Sequence, residues 1–124
     1  YAEWVKSRPH ENHIAAIESD RGGFSPRGFH CDGSAKQLTL LQSFKSHFKP
    51  YELSEFDKGY GGVDISPLKT VYPNIALFGF VPDSQRYFDF HHAPSDVFEN
   101  VNKRELELGA AAISSFLFLL DKNI

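Results

Sequence analysis

The sequence predicts an α/β fold in which helices pack on a mostly parallel sheet. Two apolar runs, at positions 13–18 and 74–80, are typical of buried strands because few polar residues interrupt them. Each run is followed, after a loop, by a segment whose apolar residues recur at helical spacing. The order strand, helix, strand, helix is characteristic of α/β domains. Two strands alone make a poor sheet, so we expect partner strands outside this chain.

The composition describes a globular domain without a nucleic-acid-binding character. The 124 residues approach the usual size of one domain, and 12 Phe and 5 Tyr predict a core rich in large rings. The net charge of −3, with acids and bases interspersed, gives no indication of nucleic acid as a partner. The longest apolar stretch, residues 110–120, is too short to span a bilayer. Cys31 is the only cysteine, so no internal disulfide can form.

The first predicted elements are a short helix and a strand. Residues 1–8 have the character of the last turns of a helix, which Pro9 ends. Because the sequence opens inside that helix, we expect residues 1–124 to be a fragment of something longer. The strand at 13–18 leads into a predicted loop at 20–33, which holds four glycines and a proline.

The middle of the chain is predicted to form a helix and a second strand. Ser34 is a suitable N-cap for a helix that extends to about Phe48, with apolar residues at helical spacing. A turn-rich segment at 57–67 comes next, and the second strand at 74–80 follows it.

A loop at 81–100 leads to the last predicted helix. Asn102 and Glu105 form a capping-box-like start, and the helix runs to about Asp121. Its apolar residues occupy more than one face, so we expect it to be buried on most sides. One face carries Leu106, Ala110, Ile113, Leu117 and Leu120, and other faces carry Leu108, Ala112, Phe116 and Leu119.

Asp20 lies where the first predicted strand ends and a glycine-rich loop begins. Functional groups of α/β sheets are placed at such strand ends. Aspartate is also a common turn residue, so position alone leaves a capped turn as the alternative.

His91 and His92 are adjacent, and Asp96 follows His92 by four residues. Imidazole is the commonest protein metal ligand, and a carboxylate often holds its ring in place. Adjacent residues of an extended chain point in opposite directions, so we expect at most one ring to face a given metal. A surface pair or a satisfied core pair is the alternative.

Gly61, Gly62 and Asp64 form a third cluster. Paired glycines let the backbone approach another group closely, although a tight turn would use the same residues. Other common catalytic motifs are absent: the sequence holds no Gly-x-Ser-x-Gly, no phosphate-binding glycine loop and no His-Glu-x-x-His.

The three clusters occur in ordered motifs. Residues 18–28 read Glu-Ser-Asp-Arg-Gly-Gly-Phe-Ser-Pro-Arg-Gly, and residues 61–68 read Gly-Gly-Val-Asp-Ile-Ser-Pro-Leu. Residues 82–92 read Pro-Asp-Ser-Gln-Arg-Tyr-Phe-Asp-Phe-His-His. Together they resemble the C-terminal half of the di-zinc exopeptidases that include leucyl aminopeptidases and plasma glutamate carboxypeptidase. The resemblance implies a partial three-layer sandwich, half of a zinc-exopeptidase fold. It also implies that residues 1–124 are a single incomplete domain, the C-terminal part of the zinc-peptidase catalytic domain.

The resemblance also implies roles for particular residues. Asp20 would be the carboxylate ligand of one zinc ion, and His92 the histidine ligand of the other, because its spacing to Asp96 fits the family pattern. The general base, the bridging aspartate and the first histidine lie upstream in that family, so we expect no catalytic residue in this chain. Further residues are expected to support the metals or shape the substrate pocket: Asp96, Gly61, Gly62, Asp64 and His91.

The implied activity is hydrolysis of peptide bonds at chain ends through a water that two zinc ions activate. We expect the isolated chain to be inactive and to bind zinc weakly or not at all, because a zinc site takes about four ligands. A non-catalytic binding or scaffold domain of the same fold is one alternative. A glutaminyl-cyclase-like acyltransferase with one zinc ion is another.

The expected partners follow from the same resemblance. They are a peptide substrate and the missing N-terminal half of the domain. The charge and the short apolar stretch, described above, predict no nucleic acid and no membrane span. An incomplete sheet exposes an unpaired edge, which predicts self-association of the chain. The residues do not fix a compartment, although relatives are often secreted or periplasmic.

Overall fold

The computed structural model describes residues 1–124 and confirms an α/β fold. One four-stranded sheet has the order β1-β4-β2-β3, and helices flank it. The strands are β1 (Ala15–Glu18), β2 (Pro26–Asp32), β3 (Glu55–Lys58) and β4 (Ala76–Pro82). The helices are α1 (Ala2–Lys6), α2 (Ala35–Ser43), α3 (Lys45–Phe48), α4 (Ser84–Phe90) and α5 (Lys103–Asn123). None of them combines the length and the apolar composition that a membrane crossing requires.

The sheet is mostly parallel, as predicted. β1 runs parallel to β4 and β2 runs parallel to β3, whereas β2 and β4 are antiparallel. The register pairs Glu18 at the end of β1 with Gly79 of β4 and pairs Pro26 at the start of β2 with Pro82. The end of β1, the end of β4 and the start of β2 therefore meet at one edge of the sheet.

Two of the four strands were not predicted. The strands at 13–18 and 74–80 are confirmed as β1 and β4, but β2 lies in the predicted loop and β3 begins before the predicted turn-rich segment. Pro26 and Gly28 are loop signals, yet Phe29 and Cys31 are buried at alternate positions of β2. Phe56 is likewise buried, in the short strand β3. Two of the expected partner strands thus lie within this chain.

The larger core lies between one face of the sheet and helices α2, α3 and α5. It contains 13 buried residues and is built around aromatic rings. Phe29 of β2 stacks on Phe116 of α5 with ring centroids 4.2 Å apart, and Phe78 of β4 meets Phe116 edge-on. The opposite face carries a smaller cluster of four buried residues, to which Val5 of α1 belongs.

The helix predicted at 34–48 is confirmed in two pieces, α2 and α3. The Ser34 hydroxyl accepts from the Gln37 backbone N–H, and the Gln37 side chain accepts from the Ser34 N–H, which completes a capping box. The predicted loop at 81–100 is wrong in part, because β4 extends to Pro82 and α4 follows at once with Asp83 as its N-cap.

Helix α5 begins at the predicted N-cap, but it is not buried on most sides. The Asn102 side chain accepts from the Glu105 N–H, whereas the Glu105 carboxylate bonds elsewhere, so only half of the predicted capping box forms. Gly109 and Ala112 share the buried stripe of α5 with Phe116 and Leu120. Gly109 packs against the Phe80 ring, and a Cβ added there would lie 3.4 Å from the ring, in ordinary van der Waals contact. Leu106 and Leu117 are about half exposed, so the apolar residues of α5 are not all buried.

Candidate functional site

A cavity of about 160 Å³ lies at the sheet edge where β1 and β4 end. Asp20 lies two residues beyond the end of β1 and lines this space, which we call the Asp20 cavity. The strand ends are the place where the sequence predicted functional groups. The residues that line the cavity come from three segments and from β4: Glu18, Asp20, Arg21, Tyr60, Gly61, Gly62, Val63, Gly79, Phe80 and Tyr87.

The Glu18 carboxylate fixes the loop that forms one wall of the Asp20 cavity. Its Oε1 accepts from the Val63 N–H at 3.0 Å. Its Oε2 accepts from the Asp64 N–H at 2.8 Å and from the Ile65 N–H at 3.1 Å. Three successive backbone donors on one carboxylate are charge-assisted bonds, which are stronger than neutral ones. Glu18 therefore sets the position of the backbone at 63–65 relative to the end of β1.

Gly61 and Gly62 allow this close approach of loop and strands. Gly62 has φ +150°, and a Cβ there would lie 2.2 Å from the Glu18 carboxylate carbon. A Cβ at Gly61 would lie 2.6 Å from the Leu77 Cβ. Both glycines line the Asp20 cavity, whereas the Asp64 side chain is exposed and is not among the lining residues. The side chain that holds the loop is therefore Glu18, and Asp64 contributes its backbone N–H.

His91 and His92 lie where α4 ends, and both side chains are exposed. The chain is not extended there, because His92 has φ +54° in the left-handed region. The premise that adjacent rings point in opposite directions is therefore wrong at this site. The two ring centroids are 4.0 Å apart, and His91 stacks on Tyr87 at 4.6 Å.

Tyr87 connects the histidine pair to the Asp20 cavity. Its ring lines the cavity on one side and contacts His91 on the other. No hydrogen bond or ion pair joins Asp20 to either histidine, so the convergence of Asp20 and His92 on one metal centre stays a prediction. The Asp96 side chain makes no hydrogen bond to His92, while its backbone N–H donates to the Ala93 carbonyl at 3.0 Å.

Glu105 ties together the segments that carry the two predicted ligands. Its carboxylate accepts from the Ser25 hydroxyl at 2.6 Å, in the loop after Asp20. It also accepts from Arg86 of α4 at 2.6 Å on both oxygens, five residues before His91. The hydrogen bond from Ser25 and the Arg86 guanidinium hold the pKa of Glu105 below its ordinary value, although burial opposes this. The sequence presented Glu105 only as a capping residue.

The donors present suit zinc in kind but not in number. Zinc accepts carboxylate oxygen and imidazole nitrogen, which Asp20 and the histidine pair offer. No three His, Cys, Asp or Glu side chains come together in a group that could hold a metal ion. This chain alone therefore does not build a closed zinc site.

Three polar residues of the Asp20 cavity were not anticipated from the sequence. They are Arg21, Tyr60 and Tyr87. Arg21 is the direct neighbour of Asp20 and Tyr60 directly precedes the glycine pair, so adjacency to a predicted motif was the available signal. Tyr87 stands in the motif at 82–92, but its place in the cavity was not foreseen because α4 was not predicted.

A larger cavity of about 770 Å³ lies between α5 and the segment 47–53. It shares no lining residue with the Asp20 cavity, and most of its wall is apolar. Size alone would favour it as a binding site. The smaller cavity is the better candidate for chemistry because it gathers carboxylates, an arginine and two tyrosines at a strand end.

Curated relatives of the chain are carboxypeptidase Q proteins from mammals. Those of Bos taurus and Pongo abelii are 28% identical to it over 101 residues, and that of Homo sapiens is 27% identical over 101 residues. The aligned part is 81% of this chain but 21% of each relative, so the chain spans about a fifth of their length. This similarity supports a coarse relationship to peptidases. No protein-family model matches the chain, and no solved structure matches it significantly.

Proposed function

We propose that this chain forms part of a zinc-dependent exopeptidase, which hydrolyses peptide bonds at chain ends when the rest of its domain is present. The observation that carries the proposal is the position of Asp20, beyond the end of a sheet strand and in the wall of a polar cavity. The similarity to carboxypeptidase Q over 81% of the chain supports the same class of activity.

In this proposal Asp20 holds one zinc ion and His92 holds the other. When bound, two zinc ions supply polarisation of the scissile carbonyl and activation of a shared water. The bridging carboxylate, the other ligands and the general base come from a segment outside these 124 residues. Asp96, four residues beyond His92, stays a candidate for orienting that ring once a metal is present.

The backbone of His92 supports a functional role for that residue. A side chain other than glycine in the left-handed region costs about 1 kcal/mol, and such strain tends to persist at functional sites. The turn at His92 places the His92 ring beside His91. His91 in turn stacks on Tyr87, which lines the Asp20 cavity.

Two carboxylates of this chain would keep the site in shape. Glu18 holds the loop at 63–65 against the strand end, and Glu105 holds the Asp20 loop and α4 at fixed positions. A metal centre built from segments far apart in sequence needs such support, because small displacements of its ligands reduce activity strongly.

Peptidase assays on the longer protein that contains this chain test the proposal. Asp20→Asn and His92→Ala should each abolish hydrolysis and lower the bound zinc. Asp121→Asn and His10→Ala are matched controls at exposed positions, and both should leave activity unchanged. Full activity in either ligand variant would contradict the proposal.

The same assay separates the alternative functions. A peptide with N-terminal glutamine would be cyclised by an acyltransferase but would only be shortened by an exopeptidase. A scaffold domain would leave all peptides intact in a well-folded protein. No feature of the cavity favours either alternative.

A further inference from the structure

Arg21 is the one half-buried arginine of the chain without a carboxylate partner. Arg8, Arg27 and Arg86 each form an ion pair, and Arg104 is exposed. Arg21 lines the Asp20 cavity and makes neither an ion pair nor a side-chain hydrogen bond. Taking a guanidinium partly out of water without a partner is unfavourable, so such a group is well suited to an anionic ligand.

Two tyrosines add hydrogen-bond donors to the same cavity. Tyr60 and Tyr87 line it, and neither hydroxyl makes a hydrogen bond within the chain. The Tyr1 and Tyr72 hydroxyls, by contrast, are both engaged. Arg21 with two phenols offers a planar fork and two O–H donors, which suits a carboxylate.

The acidic groups of the cavity do not neutralise Arg21. The Glu18 carboxylate is engaged by three backbone N–H groups, and Asp20 forms no ion pair with its neighbour. The pKa of His30 on β2 is lowered, chiefly by burial and secondly by the positive charge of Arg21. His30 does not line the Asp20 cavity, and its lowered pKa disfavours a second positive charge near Arg21.

We propose that Arg21, with Tyr60 and Tyr87, binds the carboxylate of a small ligand in the Asp20 cavity. If the proposed function holds, on which this identification rests, the carboxylate is the free C-terminus of a peptide. Arg21 is then a specificity-determining residue: it selects substrates with a free C-terminus and places their last peptide bond beside Asp20.

The test is an NMR titration of the 124-residue chain with N-acetyl-glycyl-glycine and, in parallel, with its C-terminal amide. The free acid should shift the Arg21 Nε–H signal and the ring signals of Tyr60 and Tyr87 in a saturable manner. The amide should leave them unchanged. Arg21→Gln should weaken binding of the acid about tenfold or more, and Arg21→Lys should retain part of it. Arg104→Gln is the matched control and should bind as the unmodified chain does.

Three results would overturn the proposal: equal shifts from acid and amide, unchanged binding in Arg21→Gln, or no saturable shift up to the solubility of the probe. Folding of each variant is read from the dispersion of the same spectra, and Arg21→Lys tests the role if the glutamine variant unfolds.

Failure here is distinguishable from failure of the proposed function. If the acid binds and the longer protein cleaves no peptide, the carboxylate site stands and the exopeptidase does not. If the longer protein cleaves free and amidated peptides at equal rates, the exopeptidase stands and the role of Arg21 does not.

Discussion

Replacement of Glu18 by glutamine tests whether one carboxylate holds the wall of the Asp20 cavity. The glutamine keeps one acceptor oxygen, but its NH₂ group is itself a donor and faces a backbone N–H that is left without an acceptor. Hydrogen bonds to a charged group contribute about 1.5–3 kcal/mol each, but water reaches the exposed amides of Val63 and Asp64. We therefore expect the free energy of unfolding to fall by about 2 kcal/mol rather than by the sum of three bonds.

Urea unfolding followed by circular dichroism measures this difference, and amide hydrogen exchange locates it. Exchange at Val63, Asp64 and Ile65 should accelerate more than exchange in β4. Glu99→Gln is the matched control, because Glu99 is exposed and its side chain makes no hydrogen bond, so its effect should stay within about 0.5 kcal/mol. A Glu18→Gln variant as stable as the control, with unchanged exchange at 63–65, would refute the reasoning.

Three further predictions concern the loop, acid stability and association. Gly62→Ala should destabilise the chain, because the added Cβ would clash with the Glu18 carboxylate and Gly62 has φ +150°. Gly109→Ala in α5 is the comparison and should be neutral or stabilise by up to about 1 kcal/mol. Thermal unfolding measures both variants. The pKa of Glu105 is lowered in the folded state, so its contribution is present above the ordinary carboxyl pKa of about 4.3 and is lost as the pH falls through the lowered value. Glu105→Gln should therefore unfold more easily at pH 7 and show a flatter loss of stability below pH 5 in acid titrations, and an unchanged slope would count against this. Half-buried β1 and the exposed Phe98 and Phe118 rings should make the chain self-associate, which a clean monomer in size-exclusion chromatography at high concentration would contradict.

The strands whose sequence signals agreed with their environment could be predicted. β4 is an almost continuous apolar run that is covered on both faces, so pattern and burial point the same way. β2 could not be predicted because Pro26 and Gly28 are loop signals in the sequence. In the fold, Pro26 is the first residue of the strand, where a missing N–H is tolerated. Gly28 is required because a Cβ there would lie 1.8 Å from the Glu55 carbonyl oxygen. Tertiary contacts thus turned two loop signals into strand residues.

The candidate site could be predicted only where residue type and motif coincided. Asp20, Gly61 and Gly62 line one cavity, in keeping with their places in the predicted clusters. Glu105 and Tyr87 could not be found, because their importance depends on contacts between segments that are distant in the chain. The orientation of His92 was also beyond the sequence, since its positive φ arises where α4 ends.

The most direct test of the account is a crystal structure, grown with zinc, of the longer protein in which we propose that this chain lies. The account predicts that an Asp20 carboxylate oxygen and a His92 ring nitrogen each lie about 2.0–2.2 Å from a zinc ion. The two ions should lie about 3.5–4 Å apart. Zinc bound by other residues, with Asp20 and His92 on separate sides of the fold, would contradict it.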